Sequence, residues 1–524
     1  MVMPLAEFFP LTGGVFPPQC VFIKSTLQTN RSHQFIHSPK PSAEPGSAEG
    51  YRSIMGYSSR KVTQTMTNTR TTKPLQTYID NSVAREKIPG LSVALWHNNR
   101  LHTAAAGLLN VDTGVEATPD SVFQIGSITK VLTASLVMKL VEQGRVDLDA
   151  PVKTYLREFR VADREASNTI TVRQLLNHTA GFDGDHYPDD TREMGNLIAR
   201  YIDRLNLVPQ HFPPGQGFTY SNGAYAVAGR LVEVLTGMSY FEAIEEWIYK
   251  PLGMQHAVGH PMNTLRYRAA MGHYPQADKP GQWDLAPVCY ASLGLAPCGR
   301  LSMSASDVIT FARAHLNEGK ADSGEAWLSP GTIAQMQQPQ VSLPPHSEPL
   351  SAWGLGWMLM EGTSKGIFGH DGLTVGQSAL LRVFPEHNTA IAVLTNCAKP
   401  GLLTGIAQEV LSSLADIDLI APAAADDKTA APATQDLQSL TGVFDSLGSQ
   451  HRIALNNNQL TLTTRNKVLP VPDTQLTLKP LDAHSFACTN ADGLFAGNCV
   501  FMDFNSQAQP QSLFMGLRRN RRIA

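Results

Sequence analysis

Residues 121–146, SVFQIGSITKVLTASLVMKLVEQGRV, combine a long apolar helical pattern with a lysine close to its beginning. The pattern predicts a helix over residues 127–144, and positions three apart share one helix face, so Ser127 and Lys130 can touch. A serine hydroxyl is a weak nucleophile until a base takes its proton. Burial lowers the pKa of a lysine, and such a lysine can be that base. The apolar residues that would bury Lys130 are Ile128, Val131, Leu132 and Leu136.

The spacing of Ser127 and Lys130 is not specific by itself. Ser58 and Lys61 stand at the same spacing in SSRK, within a polar segment that offers no apolar face to bury the lysine. The alternative for the first pair is a serine that caps the helix and a lysine whose amine reaches solvent. Other residues must therefore decide between a catalytic and a structural pair.

Tyr220 and Asn222 form a second candidate pair, in the loop GQGFTYSNG before an apolar helix. Residues two apart in extended backbone point to the same side, so a phenol and an amide can converge on one site. Beside a cationic lysine the phenol would ionise more readily and could shuttle a proton from Ser127, while the amide could hold a substrate carbonyl and Lys130. The alternative is structural: Tyr220 packs a loop and Asn222 caps the helix.

The stretch GIFGHDGLTVGQSALL contains a third candidate, His370 followed two residues later by Gly372. A glycine in a strand lets another backbone approach closely. The sequence therefore predicts a substrate-binding edge where His370 lines the pocket opposite Ser127 and the N–H of Leu373 is an oxyanion donor. The alternative is a buried histidine in a glycine-rich turn.

The order of the predicted elements indicates an α+β fold. Strands in LSVALWHN and NRLHTAAAGLLN precede the helices, and strands return in WGLGWMLME, GIFGHDG, VGQSALLRVFPEHN and TAIAVLTN. This predicts one antiparallel sheet built from both ends of a catalytic domain (75–418), flanked by helices and with a helical region inserted. The remaining segments are predicted to be a disordered extension (1–70), an Ala/Pro linker (419–436) and a small all-β domain (437–524).

The composition argues against several classes of function. A net charge of −3 over 524 residues gives no basic surface for nucleic acid, so a small-molecule or short peptide substrate is the expected partner. The sequence contains no run of about 18 apolar residues, so no integral membrane segment is predicted. The N-terminus has no basic residue before Lys24 and its apolar residues are interrupted by prolines, so it is a poor signal peptide and a cytoplasmic location is expected. The alternative is a periplasmic or secreted protein, if translation starts elsewhere, for example at Met55 or Met66.

Metal ligands are not evident either. The six cysteines show no CxxC pair and no zinc-type spacing; Cys289/Cys298 and Cys488/Cys499 could each close a loop, the alternative being separate buried thiols. The acidic stretch DGDHYPDD (183–190) matches no calcium loop. It is predicted to be a solvated loop at the rim of the active site.

Taken in order, these motifs resemble those of the serine β-lactamase and penicillin-binding protein superfamily, in the branch of class C β-lactamases, D-alanyl-D-alanine carboxypeptidases, D-aminopeptidases and related SxxK esterases. The resemblance covers residues 75–416. Its motifs are Ser-x-x-Lys (127–130), LLNHTAGF (175–182), Tyr-x-Asn (220–222), GRLSMSASDVITFA (299–312) and His-x-Gly (370–372).

The resemblance implies an acyl-enzyme mechanism on ester or amide substrates, without a metal or organic cofactor. It implies these roles: Ser127 is the nucleophile, Lys130 and Tyr220 share the proton transfer, Asn222 orients the substrate, and the amides of Ser127 and Leu373 form the oxyanion hole. One departure matters, because His370-Asp371-Gly372 stands where such β-lactamases carry Lys-Thr-Gly. That lysine helps to anchor a substrate carboxylate, so its absence favours an esterase, amidase or D-peptidase.

Several alternatives stay open at this point. The chain could be a β-lactamase or acyltransferase of the same superfamily, or a catalytically silent ligand-binding homologue. The absence of Gly-x-Ser-x-Gly disfavours an α/β-hydrolase. The C-terminal β domain resembles lipocalin-like appendages of some family members and could shape the pocket, mediate oligomers or add stability.

Overall fold

The computed structural model describes residues 69–185, 196–276, 279–290, 292–419, 437–468, 473–490, 495–507 and 509–524. The predicted extension lies outside these residues up to position 68, and so does the predicted linker from position 420. The described residues all belong to one compact unit, Met66–Ala524.

The helices of the described residues surround the site and support the sheet. They are α1 (Thr69–Glu86), α2 (Thr129–Glu142), α3 (Arg164–Thr169), α4 (Val172–Leu176), α5 (Leu197–Arg204), α6 (Asn222–Thr236), α7 (Tyr240–Ile244), α8 (Lys250–Leu252), α9 (Ala296–Gly299), α10 (Ala305–Leu316), α11 (Pro330–Gln337) and α12 (Pro400–Leu414). Helix α7 passes directly into a π-helical turn over Glu245–Tyr249, which leads into α8.

The start of α6 decides how Asn222 is used. Ser221 is the N-cap, and its hydroxyl accepts a hydrogen bond from the N–H of Ala224 (3.1 Å). Asn222 is therefore the first helical residue and not the cap. Its side-chain amide is left for contacts outside the helix.

The strands before residue 400 are β1 (Gly90–His97), β2 (Arg100–Asn110), β3 (Val115–Glu116), β4 (Phe123–Gln124), β5 (Ala257–Val258), β6 (His273–Pro275), β7 (Trp283–Leu285), β8 (Ser302–Met303), β9 (Val341–Ser342), β10 (Leu350–Trp353), β11 (Met358–Met360), β12 (Ile367–Thr374), β13 (Gln377–Phe384) and β14 (Thr389–Thr395). Within the described ranges, nine of them form one sheet in the order β3-β2-β1-β14-β13-β12-β11-β10-β9. Its pairs are antiparallel, with β1 beside β14 so that Val93 lies opposite Val393. The prediction of one antiparallel sheet built from both ends of an α+β domain is confirmed.

Side chains on alternate positions of β1 point to opposite faces of this sheet, as strand geometry requires. Leu91, Val93 and Leu95 pack in the core formed with α1 and α12. Ala94 faces the other core, which contains α10 and the buried face of α2. The segment that contains Ser127 borders this second core, because Ile125 and Ile128 pack in it, whereas Tyr220 packs in the first core.

The C-terminal strands close into a barrel. Eight strands of the described residues form it: β15 (Gly442–Asp445), β16 (Ser449–Asn456), β17 (Gln459–Asn466), β18 (Thr474–Pro480), β19 (Ser485–Thr489), β20 (Phe495–Phe504), β21 (Pro510–Met515) and β22 (Arg518–Arg522). Closure leaves no unpaired sheet edge, and apolar side chains such as Phe444, Leu462 and Val500 fill the interior. The fold therefore includes the predicted small all-β domain.

The hairpin β21–β22 lies against the segment that precedes α6. Its turn places Gly516 and Leu517 at positive φ (58° and 66°), as a two-residue type I′ hairpin turn requires. The N–H of Tyr220 donates to the carbonyl of Leu517 (2.8 Å), and the N–H of Arg519 donates to Thr219 Oγ1 (3.1 Å). The barrel therefore contacts the Tyr-x-Asn motif directly.

Candidate active site

Ser127 lies in a 3₁₀ turn, Gly126–Ile128, that leads into α2. Gly126 has a φ of 52°, and a Cβ atom there would lie 2.6 Å from the backbone nitrogen of Leu373. A side chain would therefore push β12 away from the serine. The predicted helix start near Ser127 is displaced by two residues, because this turn has to fit beneath β12.

Lys130 is fully buried at the first turn of α2. Its amine donates to Ser127 Oγ (3.0 Å), to Asn222 Oδ1 (2.8 Å) and to the carbonyl of Cys298 (2.8 Å). Burial lowers the pKa of Lys130 to about 7. At neutral pH a large fraction of this amine is therefore unprotonated; in that form it keeps two N–H groups, and its lone pair can accept the hydroxyl proton of Ser127.

Tyr220 lies on the other side of this amine, with its ring centroid 4.6 Å from Lys130 Nζ. Burial raises the pKa of Tyr220, and its hydrogen bond with Ser127 opposes that change only in part. The expectation that a cationic lysine would ease ionisation of the phenol is wrong, because desolvation dominates. Tyr220 is therefore a neutral phenol, and its hydroxyl can relay a proton by accepting one and giving up its own.

His178, from the LLNHTAGF motif, holds Tyr220 in place. The N–H of Ser221 donates to His178 Nδ1 (3.0 Å), and the two rings lie 4.4 Å apart. Burial lowers the pKa of His178 well below its ordinary value, so the ring is neutral. Trp353 packs edge-on against both rings. His178 is part of a motif that the sequence analysis named, but no local pattern placed its ring beside the phenol.

Strand β12 brings His370 and Gly372 to the same region. His370 has no exposed surface; its Nδ1 donates to the carbonyl of Asp371 (2.6 Å), and burial lowers its pKa to about 3. It packs near Tyr220 beneath the surface. A Cβ atom on Gly372 would overlap the carbonyl oxygen of Ile125. Gly372 therefore lets the chain before Ser127 approach β12 closely. The sequence had predicted that substrate would make this close approach.

Two further residues complete the group: Asp185, which lies in the acidic stretch 183–190, and Arg518, which the sequence did not single out. Asp185 accepts a hydrogen bond from Asn222 Nδ2 (3.0 Å) and forms an ion pair with Arg518 of β22. The Arg518 guanidinium also lies over the ring of Tyr220, 5.0 Å from its centroid. Positions 185 and 518 are 333 residues apart, so no local pattern joins them. Arg518 belongs to the basic run RRNRR, and this run was the one feature of the sequence that could have drawn attention to it.

The prediction of a solvated acidic loop is wrong for residues 183–185. The side chains of Asp183 and Asp185 are buried, and Asp183 accepts a hydrogen bond from the N–H of Leu447 in the barrel (2.7 Å). A docked domain removes this segment from water, which the local composition could not reveal. Residues 186–190 of the loop lie outside the described residues.

The described cysteines are unpaired: Cys289, Cys298, Cys397, Cys488 and Cys499. The separate-thiol alternative therefore holds for both loops, although Cys289 is exposed. Among the described residues, no helix combines the length and apolar content needed to cross a bilayer.

Comparison with known proteins identifies the family. Residues 75–413 match the model of the Beta-lactamase family. Penicillin-binding protein 4 of Amycolatopsis lactamdurans is 38% identical over 371 residues, which cover 69% of this chain and 94% of that protein. The chain belongs to the beta-lactamase family of serine hydrolases, which includes penicillin-binding proteins.

Solved structures extend the likeness to the barrel. A crystal structure of SurE has a TM-score of 0.70 and 27% identity, covering 86% of this chain and 98% of SurE, and a second was determined with D-Leu (TM-score 0.68, 28% identity). An octameric penicillin-binding protein homologue from Pyrococcus abyssi shares the fold, at 22% identity and a TM-score of 0.57 over 86% of this chain and 99% of the homologue. The covered share exceeds residues 75–413, so it reaches the C-terminal domain.

Proposed function

We propose that this protein hydrolyses ester or amide substrates through an acyl-enzyme on Ser127. One observation carries the proposal: the fully buried amine of Lys130, with a pKa of about 7, lies 3.0 Å from Ser127 Oγ. A serine beside a base of matched pKa is an activated nucleophile. Membership of a serine hydrolase family supports the same reaction class.

The contacts support a two-step reaction. Ser127 Oγ bonds to the substrate carbonyl carbon as its proton moves to Lys130, and the oxyanion accepts hydrogen bonds from the amides of Ser127 and Leu373. The proton then passes through the Tyr220 hydroxyl to the leaving alcohol or amine as its bond to the carbonyl carbon breaks. Water then attacks the carbonyl carbon of the acyl ester, one of its protons passes through Lys130 and Tyr220 to Ser127 Oγ as the ester bond breaks, and the acid leaves. Asn222 holds Lys130 and orients the substrate.

The substrate class we propose is an ester or amide of a D-amino acid or short D-peptide. The second SurE structure contains D-Leu, and SurE is similar to this chain over both the catalytic region and the barrel. His370 is neutral and buried, so it supplies no cation of the kind that the Lys-Thr-Gly lysine supplies. This difference favours an esterase, amidase or D-peptidase over a dedicated β-lactamase.

Covalent labelling tests the nucleophile. A fluorophosphonate or a labelled penicillin should add one phosphonyl or acyl group to the wild-type protein, and the intact mass should report that adduct. Ser127→Ala should abolish it. Ser58→Ala is the matched control, because Ser58 and Lys61 repeat the same spacing, and this variant should label like wild type. An unlabelled wild type, or labelling that persists in Ser127→Ala, would contradict the proposal.

The same mass measurement ranks the substrate classes. Chromogenic esters, D-alanyl and L-alanyl amides, and a cephalosporin are to be compared for turnover and for the adduct each leaves. We expect turnover of esters and D-amides and slow release after the cephalosporin. Preference for L-amides, or a cephalosporin as the best substrate, would contradict the proposed class.

A further inference from the structure

Asp185 and Arg518 join two distant parts of the chain at the proposed active site. Arg518 follows the hairpin turn whose Leu517 carbonyl accepts a hydrogen bond from the N–H of Tyr220 (2.8 Å). Its guanidinium contacts both oxygens of Asp185, Nε with Oδ2 and Nη2 with Oδ1 (3.1 Å for the second). The Asp185 side chain is only 6% exposed. This is the bidentate geometry that holds a carboxylate most firmly.

The Asp185 carboxylate decides which way the Asn222 amide points. Asn222 Nδ2 donates to Asp185 Oδ1 (3.0 Å), and Asn222 Oδ1 accepts from Lys130 Nζ (2.8 Å). A rotated amide would turn its NH₂ group towards the lysine and its oxygen towards the carboxylate, and both hydrogen bonds would be lost. A carboxylate accepts hydrogen bonds but does not donate them, so it selects the orientation that serves Lys130.

A carboxylate so close to a catalytic amine has an electrostatic cost. Negative charge favours the ammonium form of a lysine and so raises its pKa. Burial is the main cause of the lowered pKa of Lys130, and of the nearby charges Arg518 lowers that pKa while Asp185 raises it. The other titratable groups around the amine are Tyr220, Tyr225, His178, His370, Cys298 and Arg300. The arginine thus offsets the charge of the carboxylate.

We propose that Asp185 and Arg518 are positioning residues of the active site, with the barrel arginine holding the carboxylate, the carboxylate holding the Asn222 amide, and that amide holding the Lys130 amine beside Ser127. This inference rests on the proposed function, because it assigns both residues to the acylation step. It also gives the C-terminal barrel a part in the reaction.

The pH dependence of acylation tests these roles. The second-order rate constant for fluorophosphonate labelling is to be measured between about pH 5.5 and 9.5, a range that spans the pKa of Lys130, in the wild type, Asp185→Asn and Arg518→Met. Each variant should lower the plateau rate by about 10- to 100-fold, as expected for one hydrogen bond to a charged group. Loss of Arg518 should raise the pKa of Lys130 and move the half-maximal rate to higher pH. Loss of Asp185 should move it to lower pH.

Shifts of the two pH profiles in opposite directions distinguish a positioning role from a general structural one. Loss of a merely structural residue would lower the labelling rate without moving the profiles of Asp185→Asn and Arg518→Met apart. Arg521→Met is the matched control, because Arg521 is exposed on the same strand and should label like wild type. Arg518→Lys should move the profile back towards wild type. If thermal unfolding shows that a variant does not fold, the pH profiles of Arg518→Lys and Asp185→Glu are compared with that of the wild type instead.

The outcomes separate this inference from the proposed function. Wild-type labelling at Ser127 combined with unchanged plateaus, or with profiles shifted in one direction, overturns the positioning roles alone. A wild type that does not label at Ser127 overturns the proposed function.

Discussion

At the scale of single residues, the site depends on removing one lysine from water. Lys130 has no exposed surface and yet makes three hydrogen bonds, so its amine is held firmly while its charged form is disfavoured. An exposed lysine at the same spacing from a serine would remain protonated at neutral pH and could not act as a base. Burial, more than spacing, therefore separates a catalytic pair from a coincidental one.

The pH dependence of the wild type follows from this lysine. If Lys130 is the base of the proposed reaction, it acts only when unprotonated, so the labelling rate should rise with pH through about 7 and then level off. Lys130→Arg keeps a positive charge throughout this range and should lower the rate by about 10²- to 10⁴-fold. Fluorophosphonate labelling across pH measures both. A wild-type rate that does not change with pH, or an active arginine variant, would contradict the assignment of Lys130 as the base.

At the scale of elements, the site is assembled where β12 meets the turn before α2. A side chain on Gly126 would overlap the backbone of Gly372 and Leu373, and one on Gly372 would overlap the carbonyl of Ile125. This contact brings the N–H of Leu373 against the segment that contains Ser127. The glycines therefore set the separation of the two proposed oxyanion donors, and a small change there alters geometry at the nucleophile.

Gly372→Ala tests this contact. The added methyl group would overlap the Ile125 carbonyl, so we expect a loss of about 1–3 kcal/mol in the free energy of unfolding, together with slower labelling of Ser127. Gly405→Ala is the matched control, because Gly405 lies inside α12 with open space around it. That change should be neutral or stabilise by up to about 1 kcal/mol. Chemical denaturation measures the first quantity; an unaffected Gly372→Ala variant would contradict the close approach.

Much of this element-scale arrangement follows from the sequence, because its signals are local. Strand patterns at both ends of the catalytic domain predicted one antiparallel sheet. The motifs predicted that Ser127, Lys130, Tyr220 and Asn222 come together. The Asp185–Arg518 pair could not be predicted in this way. Its members come from segments whose polar composition indicates solvent exposure, and only the docking of one part of the chain on another buries them.

At the scale of the whole molecule, the barrel and the catalytic sheet meet at the Tyr-x-Asn segment. Phe514 of the barrel packs against Phe218, with ring centroids 6.2 Å apart, and Phe218 in turn contacts Trp353. Hydrogen bonds from the backbone of Tyr220 and to the side chain of Thr219 accompany this apolar contact. The sequence left open whether the C-terminal domain shapes the pocket, mediates oligomers or adds stability. Its contacts with Tyr220 favour the first role.

If docking holds Tyr220 in place, weakening the contact should loosen that segment before the protein unfolds. Phe514→Leu removes part of a buried ring at the interface and should weaken docking by about 1 kcal/mol. The amide of Tyr220, which donates to the Leu517 carbonyl, should then exchange its hydrogen about fivefold faster, and labelling of Ser127 should slow. Hydrogen exchange read by mass spectrometry, together with the labelling rate, measures the two effects.

Leu462→Val provides the control for this prediction. Leu462 is buried in the interior of the barrel, and the change removes a comparable volume without touching the interface. Exchange at Tyr220 should then match the wild type although the barrel itself is less stable. Equal acceleration in both variants would mean that the Tyr220 amide opens only when the barrel unfolds. If the barrel positions the phenol through its interface, exchange at Tyr220 should be faster in Phe514→Leu alone. Only that change weakens the docking of the barrel, whereas Leu462→Val weakens the barrel itself.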